Sequence, residues 1–462
     1  MKTNFVLTST LIILFAFTVT VPNVIAADHW EEVAAMYRPR LDHTSTLLPN
    51  GKVLVAGGDL PEVELYDPEE RTFQTTGSLP DYNFRGGTAT LLQNGKVLLA
   101  GGMGSQRAAL LYDPDTGIFT PTDSLATPHT FHTATLLSDG RVLIAGGQNQ
   151  DELQTHAVCE IYDPEDDTFS LADSLNQDRS LHTATLLQNG QVLIAGGIYT
   201  TTPGNGNYTN TCEIYDPVND EFSMVQNMIS PRSNHEATLL ADGSVLVSGG
   251  SWSSRYCERY DVSENNWTQT GDMVAIRRNS HTATLLNNGK VLVAGGYTDA
   301  VSSSAELYDP GTNSFTAVDS MFTAREQHAA TLLPDGNVLV TGGYSSTAPT
   351  NLAELFVVDE ASFVDEKNKQ PGVLNSFQLF QNYPNPFNPA TTIAYNLEHS
   401  GFVVLTVYDV LGREIETLVN EFQTADNYRV NFTAKNLSAG IYVYQLQIGN
   451  KYRETKKMVY IP

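Results

Sequence analysis

Residues 182–197 read His-Thr-Ala-Thr-Leu-Leu-Gln-Asn-Gly-Gln-Val-Leu-Ile-Ala-Gly-Gly. Two short apolar runs flank Asn189-Gly190. Asn-Gly between such runs is the strongest short hairpin signal, because both central residues of a type I′ turn need positive φ. The block recurs along the chain, with Asn50-Gly51, Asn94-Gly95, Asp139-Gly140, Asp242-Gly243, Asn288-Gly289 and Asp335-Gly336 at its turn. A double glycine closes the second run each time, at residues 53–58, 97–102, 142–147, 192–197, 245–250, 291–296 and 338–343. Fourteen residues before the first glycine of each pair stand His43, Gly87, His132, His182, His235, His281 and His328. An aromatic follows the glycines (Tyr66, Tyr112, Tyr162, Tyr215, Tyr260, Tyr308, Phe356), and another comes seven residues later (Phe73, Phe119, Phe169, Phe222, Trp267, Phe315, Phe363).

Each unit therefore reads as four short strands. Strand a is of the His-Thr-Ala-Thr-Leu kind and strand b of the Val-Leu-Val-Ala kind. Strand c ends in Glu-Leu-Tyr, as at residues 64–66, and strand d carries the second aromatic. Asp67-Pro68 and its equivalents start the c–d turn, since Asp favours the first turn position and Pro pre-sets φ. A four-stranded antiparallel unit cannot bury two apolar faces alone. Seven of them arranged radially can, which gives an all-β, seven-bladed β-propeller.

The ends of the repeat predict how the ring closes. Trp30 precedes Met36 by six residues, as Phe73 precedes Leu79 and Trp267 precedes Met273. Residues 29–36 thus look like a strand d without strands a to c before it. They are expected to complete or replace the outer strand of the blade built from residues 328–358, hiding its edge.

Composition sets the outer bounds. Of 462 residues, 41% are apolar, enough for a large core. Asp and Glu number 52 against 26 Lys and Arg, a net charge of −26, which excludes the basic footprint of a nucleic-acid binder. Three cysteines exclude a disulfide-stapled scaffold. Lys2, the apolar residues 5–20 and the small residues Val24 and Ala26 read as a secretory signal peptide over 1–26, with a mature start at Ala27. No later stretch is long or apolar enough to span a membrane, and a monomer is the expected state. The propeller is assigned to 27–366 and a polar linker ending near Pro371-Gly372 to 367–375. Residues 376–462 form a different domain, whose alternating segments at 391–397, 402–409, 428–432, 441–448 and 454–460 fit a small Ig-like β-sandwich.

Two resemblances follow from these residues. The double glycine, the strand-c Tyr and the later Phe or Trp make residues 30–365 resemble the Kelch repeat family of propellers. Asn-Tyr-Pro-Asn-Pro-Phe-Asn-Pro at 382–389, Val407-Tyr408-Asp409-Val410-Leu411-Gly412-Arg413, Leu437-Ser438-Ala439-Gly440-Ile441-Tyr442 and Lys456-Lys457 make the tail resemble the type IX secretion sorting domain. That resemblance implies recognition of residues 376–462 by the export machinery of a Gram-negative bacterium. The product would be secreted or held at the outer cell surface.

The residues that could carry chemistry mostly belong to the repeat. Metal ligands must converge on one point, whereas six histidines in register lie around a ring, so hydrogen bonding within or between blades is expected of them. Arg40, Arg179, Arg232, Arg278 and Arg325 each stand three residues before a histidine and can pair with strand-c glutamates or with carbonyls. Cys159, Cys212 and Cys257 occupy a small-residue column and are expected to be buried free thiols. Galactose oxidase, a Kelch-type enzyme, implies a copper site of two His and two Tyr, one Tyr cross-linked to Cys. This chain has no Tyr-His dipeptide, and its cysteines sit at repeat positions. No cofactor and no metal are expected, and the leaning is against an enzyme.

Function is expected on the face that varies. From second glycine to strand-c aromatic the gaps are 8, 10, 15, 18, 10, 12 and 13 residues, so the b–c loops differ while the turns on the other face do not. Tyr199, Trp252, Tyr297 and Tyr344 follow the double glycines of four consecutive blades, where the first three carry Asp59, Met103 and Gln148. Tyr208 and Tyr256 lie in two of the same loops. These six are the candidate ligand-binding residues, suited to sugar rings or a partner's apolar anchor. The expected ligand is an extracellular glycan or protein. The alternative is an extracellular carbohydrate-active enzyme, galactose oxidase-like or other, on the same face.

Overall fold

A computed structural model describes residues 28–358 and 378–460, apart from 81–82, 105, 251–254, 276–277, 381, 383–384, 386, 388, 398–400, 411, 425–426, 436 and 449–451. The signal-peptide cleavage after Ala26, the 367–375 linker and Phe363 lie outside the described residues.

Seven four-stranded antiparallel sheets form the blades. Blade 1 runs a to d as His43–Leu47, Val53–Gly57, Glu62–Asp67 and Thr72–Ser78. Blades 2 to 6 repeat this order over residues 88–121, 133–171, 183–225, 236–272 and 282–318. In blade 7 the strands Ala329–Leu332, Val338–Thr341 and Ala353–Val357 are completed by His29–Glu32. Trp30 pairs with Phe356 as Phe73 pairs with Tyr66, at ring centroid distances of 5.1 and 5.0 Å. The N-terminal strand thus supplies the outer strand of the last blade. The a strands of adjacent blades touch all the way round, blade 7 against blade 1 included.

Strand b is buried throughout every blade, which is why it reads as an unbroken apolar run. Ala and Leu of strand a fill the gaps between neighbouring blades, as Ala134 and Leu136 do. The histidines bridge those gaps. His132, His182, His235 and His328 place Nε2 2.9 to 3.1 Å from Thr88, Thr133, Thr183 and Thr282 of the preceding blade. His43 and His281 use Thr341 and Ser248 instead. Burial holds all six well below the usual imidazole range, His235 and His328 at about 3, so they are neutral scaffold groups.

The arginine column forms a second set of locks, pairing with both groups expected of it. In blade 6, Arg278 Nη1 donates to Gly295 O at 2.6 Å and Nη2 to Glu306 Oε1 at 2.7 Å. The Glu306 carboxylate also takes the N–H groups of Val274 and Ala275, which follow the preceding d strand. Arg40, Arg179, Arg232 and Arg325 do the same with Glu64, Glu213, Glu258 and Glu354. All five arginines are at most 1% exposed.

Blade 2 departs from this pattern in a coordinated way. Phe84 replaces the arginine and Leu110 the glutamate. Pro80 stands where Val274 stands in blade 6, removing an N–H that would need the carboxylate. Gly87 replaces the histidine because a Cβ there would lie 2.8 Å from the Phe84 ring. Thr44 of blade 1, deprived of a histidine, donates to Ala56 O in its own blade.

The C-terminal unit pairs a three-stranded sheet (Gln378–Leu379, Ala390–Asn396, Asn427–Thr433) with a four-stranded one (Glu414–Gln423, Gly401–Asp409, Gly440–Ile448, Tyr452–Tyr460). Ile393, Tyr395, Leu405, Val407, Tyr444 and Phe432 meet in one core between the sheets. Glu414–Gln423 was not expected from the sequence. It is an edge strand that buries only Val419 and Gln423, so it lacks alternation. The proline-rich run is structural where it is described: Asn382 N donates to Tyr444 Oη, and Phe387 packs on Phe432 and Tyr460.

Candidate functional site

Because the strands of each blade run antiparallel, the b–c loops and the d–a connections share one face. The sequence of every d–a connection places one residue immediately before the histidine column. These residues are Asp42, Gly86, Phe131, Leu181, Asn234, Ser280 and Gln327, and all have φ between 45° and 70°. A non-glycine residue there costs of order 1–3 kcal/mol and persists only where its surroundings hold it. Here the holding is a ring of hydrogen bonds between blades. Phe131 N donates to Gly86 O, Leu181 N to Phe131 O, Asn234 N to Leu181 O, Ser280 N to Asn234 O, Gln327 N to Ser280 O and Asp42 N to Gln327 O, at 2.7 to 3.2 Å. Between blades 1 and 2 the link is an ion pair, Arg85 Nε to Asp42 Oδ2 at 2.6 Å.

This rim, at the entrance to the inner strands, is chemically divided. Asn234, Ser280, Gln327 and Asp42 make a polar arc, with Arg85 and Gln327 Nε2 both donating to Asp42. Phe131 and Leu181 make an apolar one. Burial raises the Asp42 carboxyl despite Arg85, and nearby Asp59 adds to the rise. Burial and the Asp42 charge likewise raise Glu326, one residue from Gln327. Sequence reasoning missed the rim. The signal was present: this one column holds seven different residues beside a nearly invariant histidine.

The candidate aromatics fall into three groups. Tyr297 and Tyr344 occupy equivalent places in blades 6 and 7. Each bridges the d–a connection of its own blade, at Asn279 and Glu326, and each bridges across its loop, at Val301 and Pro349. Tyr297 is 37% exposed. Tyr199 and Tyr208 lie in a hairpin, Ile198–Thr202 with Asn205–Tyr208, that was not foreseen. There Ile198, not Tyr199, makes the bridge to Ser180. Tyr199 and Trp252 stand one residue later than Tyr297 and Tyr344, so the four aromatics do not share one register. Tyr199 projects from the other side of its hairpin, as successive strand residues do. Tyr256 is a brace: its Oη lies 2.6 Å from Ser230 Oγ and Arg232 sits 5.7 Å from its ring centre. Trp252 lies outside the described residues.

The same face carries a further apolar set. Ile229, Val274, Phe322 and Tyr37 follow the buried Met of four consecutive connections and are 51, 57, 62 and 63% exposed. The other three connections hold Pro80, Ala126 and Asn176 there.

Among the described residues no three His, Cys, Asp or Glu side chains converge on a point that could hold a metal. The six column histidines spend Nε2 on neighbouring hydroxyls. Cys159, Cys212 and Cys257 are free and buried, with burial pushing each thiol up to about 12. These donors do not fit a copper centre.

Comparison with known proteins bears on this fold and tail. Residues 179–229 and 278–322 match the Kelch motif, and residues 381–461 match the secretion system C-terminal sorting domain. A solved structure of a fungal alcohol oxidase of the AA5 family, in complex with copper, superposes with a TM-score of 0.64 at 15% identity, covering 94% of this chain and 100% of that one. At that identity the likeness shows the fold alone. No curated protein matches. The chain is a Kelch-type β-propeller. Its tail is a type IX sorting domain, which engages the secretion machinery and directs export to the cell surface or extracellular space of a Bacteroidetes bacterium.

Proposed function

We propose that this protein is an exported binding module that holds an extracellular glycan or protein ligand on its b–c face. One observation carries the reading. Two features of the repeat vary freely, the b–c loops and the residue before each histidine, and both lie on that face over a scaffold locked in register. The rim offers amide, hydroxyl and carboxyl groups on one arc and apolar surface on the other. Tyr297 and Tyr344 stand beside the polar arc, and Ile229, Val274, Phe322 and Tyr37 extend the apolar surface outward. Ring faces beside fixed polar groups suit a sugar, and an exposed apolar arc suits a protein anchor.

The alternative, a carbohydrate-active enzyme on the same face, has in its favour the fold shared with the fungal oxidase. A glycan array and a copper measurement on the exported chain separate the two. A glycan hit without turnover or stoichiometric copper supports the binding module. Stoichiometric copper with oxidase activity replaces it with the enzyme.

A further inference from the structure

Blade 3 keeps the lock of its sisters but changes its key. His129 stands where Arg40, Arg179, Arg232, Arg278 and Arg325 stand, and it is fully buried. Its Nδ1 lies 2.7 Å from Gly146 O, the carbonyl equivalent to Gly295 O in blade 6. Its Nε2 lies 3.1 Å from Glu160 Oε1, the equivalent of Glu306 Oε1. The two ring nitrogens thus reproduce the two contacts of the guanidinium.

A carbonyl oxygen only accepts, and so does a carboxylate. Burial alone would raise Glu160, but hydrogen bonds from His129 and from the N–H groups of Ala126 and Thr127 hold it below the usual value, so it is ionised. Both nitrogens of His129 therefore face acceptors, and only the imidazolium satisfies both. Thr127 Oγ1 lies 3.0 Å from Glu160 Oε1 and 2.9 Å from Nε2, and its single proton serves the carboxylate while the ring is charged.

We propose that His129 and Glu160 form a proton-dependent lock in blade 3, closed by the imidazolium and released when it loses its proton, where five sister blades use a guanidinium that never does. Imidazolium releases its proton near neutrality and guanidinium does not. On release, Nε2 presents a lone pair to Oε1, and the Thr127 hydroxyl can satisfy only one of the two. The segment affected runs directly into the rim, since Thr130 and Phe131 follow His129.

The groups around the ring leave this titration to Glu160. His132, from the start of strand a, is 5.5 Å away between ring centres and neutral through burial. His156, from the b–c loop, is 4.7 Å away. Burial first and His129 second bring it down to about 4, with its Nε2–H donating to Pro128 O. Asp178 lies beyond His156 and takes the Thr155 hydroxyl. Arg107, in the adjoining loop of blade 2, is directed to Leu125 O. Glu160 alone faces the ring as an opposite charge.

The sign is definite: a lock made by the charged histidine stabilises at low pH and weakens as pH rises. The experiment follows the exported chain by histidine 15N NMR and thermal unfolding between about pH 5.5 and about pH 9. In the wild type, His129 should show two protonated nitrogens at the low end and lose one as pH rises. The His129→Arg variant should match the wild type at the low end and exceed its Tm by several degrees at the high end. His129→Gln with Glu160→Gln, which keeps a neutral pair, should likewise lack the wild type's fall in Tm toward high pH, and it keeps the test decisive if the arginine misfits. A neutral His129 at the low end, or profiles for wild type and both variants that run parallel throughout, overturns the proposal.

Discussion

Blade 2 shows how this fold can dispense with a buried ion pair, and transplanting its solution to blade 6 tests why the locks exist. Glu306→Leu alone leaves Arg278, 0% exposed, without a counter-charge and strips the N–H groups of Val274 and Ala275 of their acceptor. Breaking a buried pair costs about 3–5 kcal/mol. Each orphaned N–H adds about 1–3 kcal/mol, although the terms are not additive. The single variant should therefore lose about 5 kcal/mol or more, a large share of the roughly 5–15 kcal/mol that holds a domain together. Adding Arg278→Phe removes the charge but drives a ring into His281, as Phe84 would meet a side chain at Gly87. The fourfold graft Val274→Pro, Arg278→Phe, His281→Gly and Glu306→Leu reproduces blade 2 and should return to within about 2 kcal/mol of wild type, since a well-packed apolar replacement of a buried pair is close to neutral. Denaturant unfolding followed by tryptophan fluorescence reads the propeller alone, because Trp30, Trp252 and Trp267 all precede residue 358. A single variant within about 1 kcal/mol of wild type, or a graft no better than the single variant, would refute this account of the locks.

Three other outcomes are expected. Trp30→Ala removes a side chain 5% exposed and its Nε1–H bond to Asp319 O, so it should cost about 3–5 kcal/mol, and a chain starting near Arg40 should lose thermal stability outright. Burial raises the Glu236 carboxyl, in strand a of blade 5, to about 8, above its unfolded value, so its native state binds the extra proton. Stability is then lost as pH rises from about 4.5 to about 8, and Glu236→Thr, which restores the residue of five sister blades, should gain up to about 2 kcal/mol at about pH 9 and little near pH 4 in pH-resolved melting. A thiol reagent should find no reactive cysteine in the native protein and three after denaturation without reductant, since all three thiols are buried and held protonated.

The scaffold was legible because its causes are local and repeated. Asn-Gly turns, the His column and the paired aromatics each recur at fixed offsets, so even the closing strand could be matched through Trp30 and Met36. The small-residue column that holds the cysteines was read correctly for the same reason. What escaped was non-local or singular. The hairpins of Gln148–Asn149 with Gln154–Thr155 and of Ile198–Thr202 with Asn205–Tyr208 lie in loops without alternation. The meaning of Gly87 depends on Phe84, Pro80 and Leu110, which meet only in space. The rim depends on hydrogen bonds between blades, and its residues look like ordinary loop residues in sequence. The aromatic sector was read one residue out of register at Tyr199 and Trp252: the bridging place is the residue directly after the second glycine, which is Gln148 in blade 3 and Ile198 in blade 4 but Tyr297 and Tyr344 in blades 6 and 7.

The central claim, that ligand is held on the b–c face, is tested most directly by comparing the two faces in one binding assay. The exported chain and its variants would be titrated against whichever glycan scores on the array. Tyr297→Ala, Tyr344→Ala and Gln327→Ala alter the b–c face, and Lys52→Ala and Lys96→Ala alter the a–b turns on the opposite face. The expected result is a loss of about tenfold or more in affinity for the first set, each worth at least about 1.4 kcal/mol, with Tm within a few degrees and no change for the second. Loss of affinity in the turn variants, with the b–c variants binding as wild type, would contradict the claim.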